Sequence, residues 1–265
     1  MISVKTRPAP AGAWYLGLNE GDVAPRCILV GDRARVDMFG ERLEAARVLS
    51  DKRGLRTMGG TFEGVPVTVA AFGMGAPIAA VLLEELAVIG VRVVLRAGTA
   101  MSLAPDRLPL GRFIVAHAAL RGEGTSLSYA PLGYPAAADP VVVSTVTGVL
   151  SRIGAPHHVG ILATADGFYS EMLAPSAARA EPVNKRQEEF RKLGIVAADM
   201  ETATIFVVAS LLGVRAGSLC LVSVDGPGRA LLDDDSRRAG ERQLVEAALR
   251  SLISVPDPKD ERVGQ

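Results

Sequence analysis

Apolar runs of strand length alternate with helix-period segments along most of this chain, and several runs are continuous in Val, Ile, Leu and Ala. A strand that is apolar at every position has to be covered on both faces. The runs fall at 27–31, 65–72, 91–97, 112–119, 159–163, 195–198 and 216–224. Helical patterns fall at 77–89, 140–153, 185–193, 201–212 and 239–254, and Gly90, Gly154, Gly194 and Gly213 each stand where a helix should stop. Strand, helix and glycine stop in repeated order predict an α/β protein. The expected architecture is a single-domain three-layer α/β/α sandwich with a mixed central sheet, spanning 1–265 with frayed ends at 1–12 and 256–265. A chain of this length buries such a core without disulfides or structural metals. Two segments break the alternation: 173–182, rich in alanine around Pro175, and 226–239, with Gly, Pro and the run Asp233-Asp234-Asp235. Both read as mobile loops of a composition often found in active-site lids.

The 29 basic and 29 acidic side chains leave no formal net charge. The chain therefore lacks the long-range positive field on which nonspecific nucleic-acid or anionic-membrane binding depends, and any phosphate recognition has to come from local arginines. Cys27 and Cys220 lie in apolar runs and read as buried thiols in a reducing compartment. Lys5 and Arg7 are followed by no apolar segment, and no apolar stretch reaches the ~18 residues that cross a bilayer. The expected location is the cytoplasm.

Chemistry concentrates where strands end. Gly31-Asp32-Arg33-Ala34-Arg35 follows the first strand and opens a helix-like segment, a combination that offers backbone N–H groups and guanidinium to an anion. Leu95-Arg96-Ala97-Gly98-Thr99 puts an arginine at the end of a buried strand, where it needs either a structural ion pair or a bound anion. Asp199-Met200-Glu201 places two carboxylates at a strand-to-helix junction, Asp199 as a cap and Glu201 at the positive end of the helix dipole. Carboxylates beyond strand ends also accept hydrogen bonds from sugar hydroxyls in open α/β folds. Val224-Asp225-Gly226 delivers another carboxylate to a strand terminus. His117, His157 and His158 have no metal-ligand or triad spacing, and His117 reads as a core residue. Neither a dinucleotide fingerprint nor a phosphate loop of the nucleoside-triphosphate type occurs.

In order along the chain, these segments join Phe72-Gly73-Met74-Gly75, Ser126-Leu127-Ser128-Tyr129-Ala130-Pro131, Tyr134-Pro135 and Ala165-Asp166-Gly167-Phe168-Tyr169. Together the set resembles the nucleoside phosphorylase family that contains uridine phosphorylase and hexameric purine nucleoside phosphorylase. No single motif is decisive; their order and spacing are specific, and the likeness runs from about Tyr15 to the final helix. The resemblance implies that Gly31, Arg35, Arg96 and Thr99 bind phosphate, joined by Arg53, which in the family reaches the active site of a neighbouring subunit. It implies that Met200 and Glu201 contact the ribose, that Phe168 packs against the base, and that Tyr15 stands where the family offers a histidine to the ribose 5′-hydroxyl. Catalysis then falls to Asp225, Glu201 and Arg96, and Arg96→Ala is expected to abolish activity with the fold largely intact. No cofactor or metal is implied, inorganic phosphate being a co-substrate. The implied partners are a nucleoside and further copies of the chain, in dimer units that build a hexamer.

Asp225 sets the expected base, because Val224-Asp225-Gly226 resembles the corresponding segment of some purine-cleaving members of the family. A carboxylic acid that keeps its proton near neutral pH can protonate a purine at N7. The Gln-x-Arg pair with which uridine phosphorylases grip uracil is absent from Ser170-Glu171-Met172-Leu173-Ala174. Purine nucleosides are therefore the expected substrates, with uridine phosphorylase as the alternative and a hydrolytic nucleosidase or a non-catalytic nucleoside-binding homologue as further ones.

Overall fold

Each apolar run forms a strand in the computed structural model, which describes residues 12–256. The frayed ends expected at 1–12 and 256–265 lie, apart from residues 12 and 256, outside the described residues. The foreseen strands are β1 (Arg26–Val30), β4 (Val65–Ala71), β5 (Val93–Ser102), β6 (Phe113–Gly122), β7 (His157–Ala165), β8 (Ile195–Asp199) and β9 (Arg215–Asp225). Three more, β2 (Glu44–Lys52), β3 (Leu55–Phe62) and β10 (Ala230–Leu231), were not visible in the hydrophobic pattern. The helices are α1 (Arg33–Gly40), α2 (Ala76–Val88), α3 (Thr125–Tyr129), α4 (Pro140–Arg152), α5 (Ala180–Lys192), α6 (Thr202–Leu212) and α7 (Asp234–Ser254).

All ten strands join one mixed sheet in the order β10-β9-β6-β7-β8-β5-β1-β4-β3-β2. Strand β5 pairs along its length with β9 and, through Met101 and Ser102, with β8. Five strands (β5, β9, β6, β7, β8) thus close into a ring, which removes free edges from the middle of the sheet. Adjacent residues show why the runs are continuously apolar. Leu29 and Val94 pack with Leu83 of α2 and Phe206 of α6, whereas their neighbours Ile28 and Leu95 pack with Phe39 of α1, Val146 of α4 and Leu249 of α7. Two helical layers therefore cover opposite faces, and the α/β fold with a mixed central sheet is the one expected. Cys27 and Cys220 are free thiols within this core, and burial pushes both above the ordinary thiol pKa.

Two two-residue turns extend the sheet through β2 and β3. Arg53 (φ 53°) with Gly54 (φ 84°), and Glu63 (φ 48°) with Gly64 (φ 78°), supply the paired positive φ angles of a type I′ hairpin. Arg53 is thereby held at an exposed tip, its guanidinium 5.2 Å above the Tyr15 ring and 5.6 Å above Trp14.

Four local expectations are corrected. Strand β5 continues to Ser102, so Arg96 lies within it; strands β1 and β4 stop at Val30 and Ala71, which leaves its flank open to a ligand. Segment 226–239 is not one loop, because β10 pairs back onto β9 and Asp233 caps α7 through Asp235 N (3.1 Å) and Ser236 N (2.9 Å). Segment 173–182 contains a 3-10 turn, Ala177–Arg179, that runs straight into α5. His117 is exposed, since the register of β6 against β7 shifts between Ala116 and Ala118 and turns its side chain out of the core. No helix among the described residues is long and apolar enough to cross a membrane.

Candidate active site

A cavity of about 520 Å³ opens beyond the carboxyl ends of β1, β4 and β8, against the flanks of β5 and β9. Its most polar wall is built around Arg96, which is 5% exposed. The Arg96 side chain folds over Gly98, two residues on along the same face of β5. A Cβ at Gly98 would stand 2.0 Å from Arg96 Nη1 and 2.6 Å from Cζ, so only glycine leaves room for the guanidinium. Nη2 pairs with Glu201 and lies 3.3 Å from Asp199 Oδ2, while Nη1 donates to Cys220 Sγ at 2.7 Å. Burial opposes the charge on Arg96, but Cys220, Asp199 and Glu201 outweigh it and hold its pKa above the ordinary arginine value.

The carboxylates are themselves fixed. Asp199 accepts from Thr164 Oγ1 (2.8 Å), from Thr202 N (3.1 Å) and from the Thr202 hydroxyl, so it caps α6 and faces Arg96 together. Thr164 Oγ1 in turn accepts from Ala203 N at 2.9 Å, which ties β7, β8 and α6 into one unit. Glu201 stands at the start of α6 without making a side-chain cap; its other oxygen, Oε1, accepts from Gly75 N at 2.7 Å. That contact depends on Gly75 having φ 99°, a backbone conformation open to glycine.

A second wall comes from α1 and α7. Asp32 caps α1 through Ala34 N (2.9 Å), and Arg35, 6% exposed, pairs with Glu241 Oε1 at 3.2 Å. The same Glu241 oxygen lies 3.3 Å from Arg237 Nε. One carboxylate thus braces two guanidinium groups, both lining the cavity. The Nε atoms of Arg35 and Arg96 are buried without a hydrogen-bond partner among the described residues. Both arginines line the cavity, where their guanidinium groups set positive charge beside any anion that enters.

Of the residues singled out from sequence, Gly31, Arg35, Arg96, Thr99, Phe168, Met200 and Glu201 all line this cavity. Phe168 opens a π-helical turn, Phe168–Met172, and meets Tyr169 edge-on with ring centroids 5.1 Å apart. Tyr15, Arg53 and Asp225 lie apart from the lining. The Tyr15 amide donates to Glu85 Oε1 at 2.6 Å, and Arg53 sits on the exposed hairpin tip with the two aromatic rings. The Asp225 carboxylate ends β9 and accepts from Gly228 N at 2.9 Å within the turn at 226–229. Glu241 was missed as a site residue, although the acidic run at 233–235 is the signal of a helix start that would have put it on α7.

Residues 25–254 match the Phosphorylase superfamily. A uridine phosphorylase from Thermococcus kodakarensis is 32% identical over 95% of this chain and 90% of its own length, and a guanosine phosphorylase from Halorubrum lacusprofundi is 30% identical over 91% and 96%. Crystal structures of uridine phosphorylase from Vibrio fischeri (TM-score 0.82, 28% identity, covering 91% and 96%) and of purine nucleoside phosphorylase from Toxoplasma gondii in complex with immucillin-H (TM-score 0.83, 26% identity, covering 93% and 97%) share the fold. With the profile match spanning all but the ends, and relatives aligned along nearly their whole lengths, the chain belongs to the phosphorylase superfamily that its ordered motifs resemble.

Proposed function

We propose that the protein is a nucleoside phosphorylase, which uses inorganic phosphate to cleave the N-glycosidic bond and yields a free base and ribose 1-phosphate. The observation that carries this reading is the pair of buried arginines, Arg35 and Arg96, whose side chains line one cavity. A hydrolase using water would have no need of them. In this mechanism Arg35, Arg96 and Thr99 orient the phosphate, whose oxygen attacks the anomeric carbon as the base departs with the bond's electron pair. Positive charge develops on the sugar in an oxocarbenium-like transition state, comparable to that of glycoside hydrolysis. The phosphate dianion faces that charge, and Glu201 beside Arg96 accepts from the ribose hydroxyls and holds the ring in place.

Uridine is the substrate favoured by the names of the relatives, with uridine phosphorylase from Thermococcus kodakarensis among them. Purine cleavage stands as the second reading, supported by the guanosine phosphorylase of Halorubrum lacusprofundi. Arg53, held with Trp14 at an exposed hairpin tip, is proposed to complete the phosphate site of a neighbouring copy, which requires a closed oligomer. Incubation with uridine, inosine and guanosine, with and without phosphate, tests the function. Phosphate-dependent formation of ribose 1-phosphate supports it; free ribose formed equally without phosphate overturns it. Sedimentation tests the assembly, and a fully active monomer would refute the shared site.

A further inference from the structure

The cavity has a second end, and its composition points to how the base is chosen. Met101, Met172, Ala198, Phe168, Met200 and Val224 line it and belong to one apolar cluster. Four of the seven methionines in the chain, Met74, Met101, Met172 and Met200, line this one cavity. Among the polar lining side chains, Asp32 is engaged in the α1 cap, Arg33 with Asp51, Arg35 and Arg237 with Glu241, and Asp199 and Glu201 with Arg96. That leaves Thr99, in the phosphate wall on β5 beside Arg96, and Ser223 on β9.

Polar side chains that flank the apolar end are already committed to the protein itself. Gln187 Nε2 donates to Met172 O (2.6 Å), and Glu171 accepts from Gly167 N (2.9 Å) and Arg186 (2.6 Å). Asp225 accepts from Gly228 N, and Arg229 donates to Ala174 O (2.7 Å). Each of these side chains holds a turn or a helix end through at least one of its polar atoms.

Resting on the phosphorylase reading, we propose that this end selects a base mainly by stacking and size, so that pyrimidine and purine nucleosides are both substrates with weak discrimination between them. Thioether side chains adapt to different ring outlines, which is why methionine-rich surfaces bind several partners. An apolar pocket separates ligands by roughly 10- to 200-fold, whereas a pocket that hydrogen-bonds a ligand rejects an analogue lacking that group by about 10⁴-fold.

The test measures kcat/KM for uridine and inosine at saturating phosphate, and Kd for both by calorimetry without phosphate. A third ligand, the riboside of 2-pyrimidinone, lacks the N3–H and the 4-oxo group of uridine. Selectivity within about 100-fold between uridine and inosine, with the 2-pyrimidinone riboside bound within about tenfold of uridine, is the expected result. A larger gap in either comparison overturns the proposal and leaves the phosphorylase reading intact. Binding of all three ligands without phosphate-dependent cleavage overturns the phosphorylase reading and leaves the binding proposal standing. No binding of any of them overturns both.

Discussion

The two ends of the cavity are built by opposite physical means. At the arginine end the charged side chains have fixed partners: Arg96 is held by Glu201, Asp199 and Cys220 over a glycine seat, and Arg35 shares Glu241 with Arg237. At the methionine end the walls are thioethers, one aromatic ring and aliphatic groups packed as a cluster. Ion pairs fix a geometry and exclude the wrong charge, and a thioether cluster fills space without fixing one. A constant co-substrate and constant sugar thus meet rigid walls, and the variable part of the substrate meets adaptable ones. Substitutions at the arginine end should change phosphate use for every nucleoside alike, and that is where the comparison can be broken most forcefully.

Arg96→Ala carries the largest expected effect. Phosphorolysis should fall by about 10²- to 10³-fold, as when a fixed donor is lost from a charge-stabilising site. The sequence alone led us to expect an intact fold, but Asp199 and Glu201 would be left as buried carboxylates without their counter-charge, at a cost of about 3–5 kcal/mol. Thermal unfolding should therefore report a marked loss. Arg96→Lys separates the two roles: it keeps the charge and most of the stability, yet an ammonium cannot reproduce the forked guanidinium contacts, so the KM for phosphate should still rise steeply. Near-native phosphate use in both variants would remove Arg96 from the site.

Gly98→Ala comes next. The added methyl would require the Arg96 guanidinium to move, because the Cβ position is 2.0 Å from Nη1. A shift on the order of 1 Å is enough for roughly 10- to 100-fold in rate, and it should appear in the KM for phosphate far more than in the Kd for nucleoside. Equal weakening of both would mean that the glycine serves the cavity as a whole and not the arginine.

What the sequence discloses follows the same division. The arginine end was legible because Gly31, Arg35, Arg96, Thr99 and Glu201 lie in short motifs beside strands whose apolar runs announce themselves. Its braces were not: Glu241 is 206 positions from Arg35. The methionine end was legible only in Phe168 and Met200, since Met101, Met172 and Val224 are ordinary core residues one at a time and only the closing of β5 onto β8 and β9 gathers them. Strand β2 escaped notice because most of its residues are exposed and carry no apolar alternation, and its hairpin to β3 uses Arg-Gly where Asn-Gly would have signalled a turn.

Arg237→Gln should have a moderate effect. Arg237 lines the cavity, but its side chain is half-exposed and shares its partner with Arg35, so water offsets part of any loss. The KM for phosphate should rise about fivefold, consistent with a partly solvated charged hydrogen bond, and the ratio of uridine to inosine turnover should not move. A changed ratio would carry Arg237 across to the base-binding end and blur the division between the two walls.

Asp225→Asn carries the smallest expected effect and bears most directly on the base. A general acid serving purine N7 would lose about 10²- to 10⁴-fold with inosine and little with uridine, because an amide donates a hydrogen bond but delivers no proton. In the structure the carboxylate accepts from Gly228 N and lies outside the cavity lining. The asparagine Oδ1 can accept the same hydrogen bond, so the turn at 226–229 survives and the change should stay within about threefold for both substrates, the range of a surface substitution. Parallel measurement of uridine and inosine in the two proteins decides the matter. A selective collapse of inosine turnover would make Asp225 the purine acid and give the apolar end a polar reader after all, whereas small and equal losses leave base choice to the methionines, Phe168 and Val224.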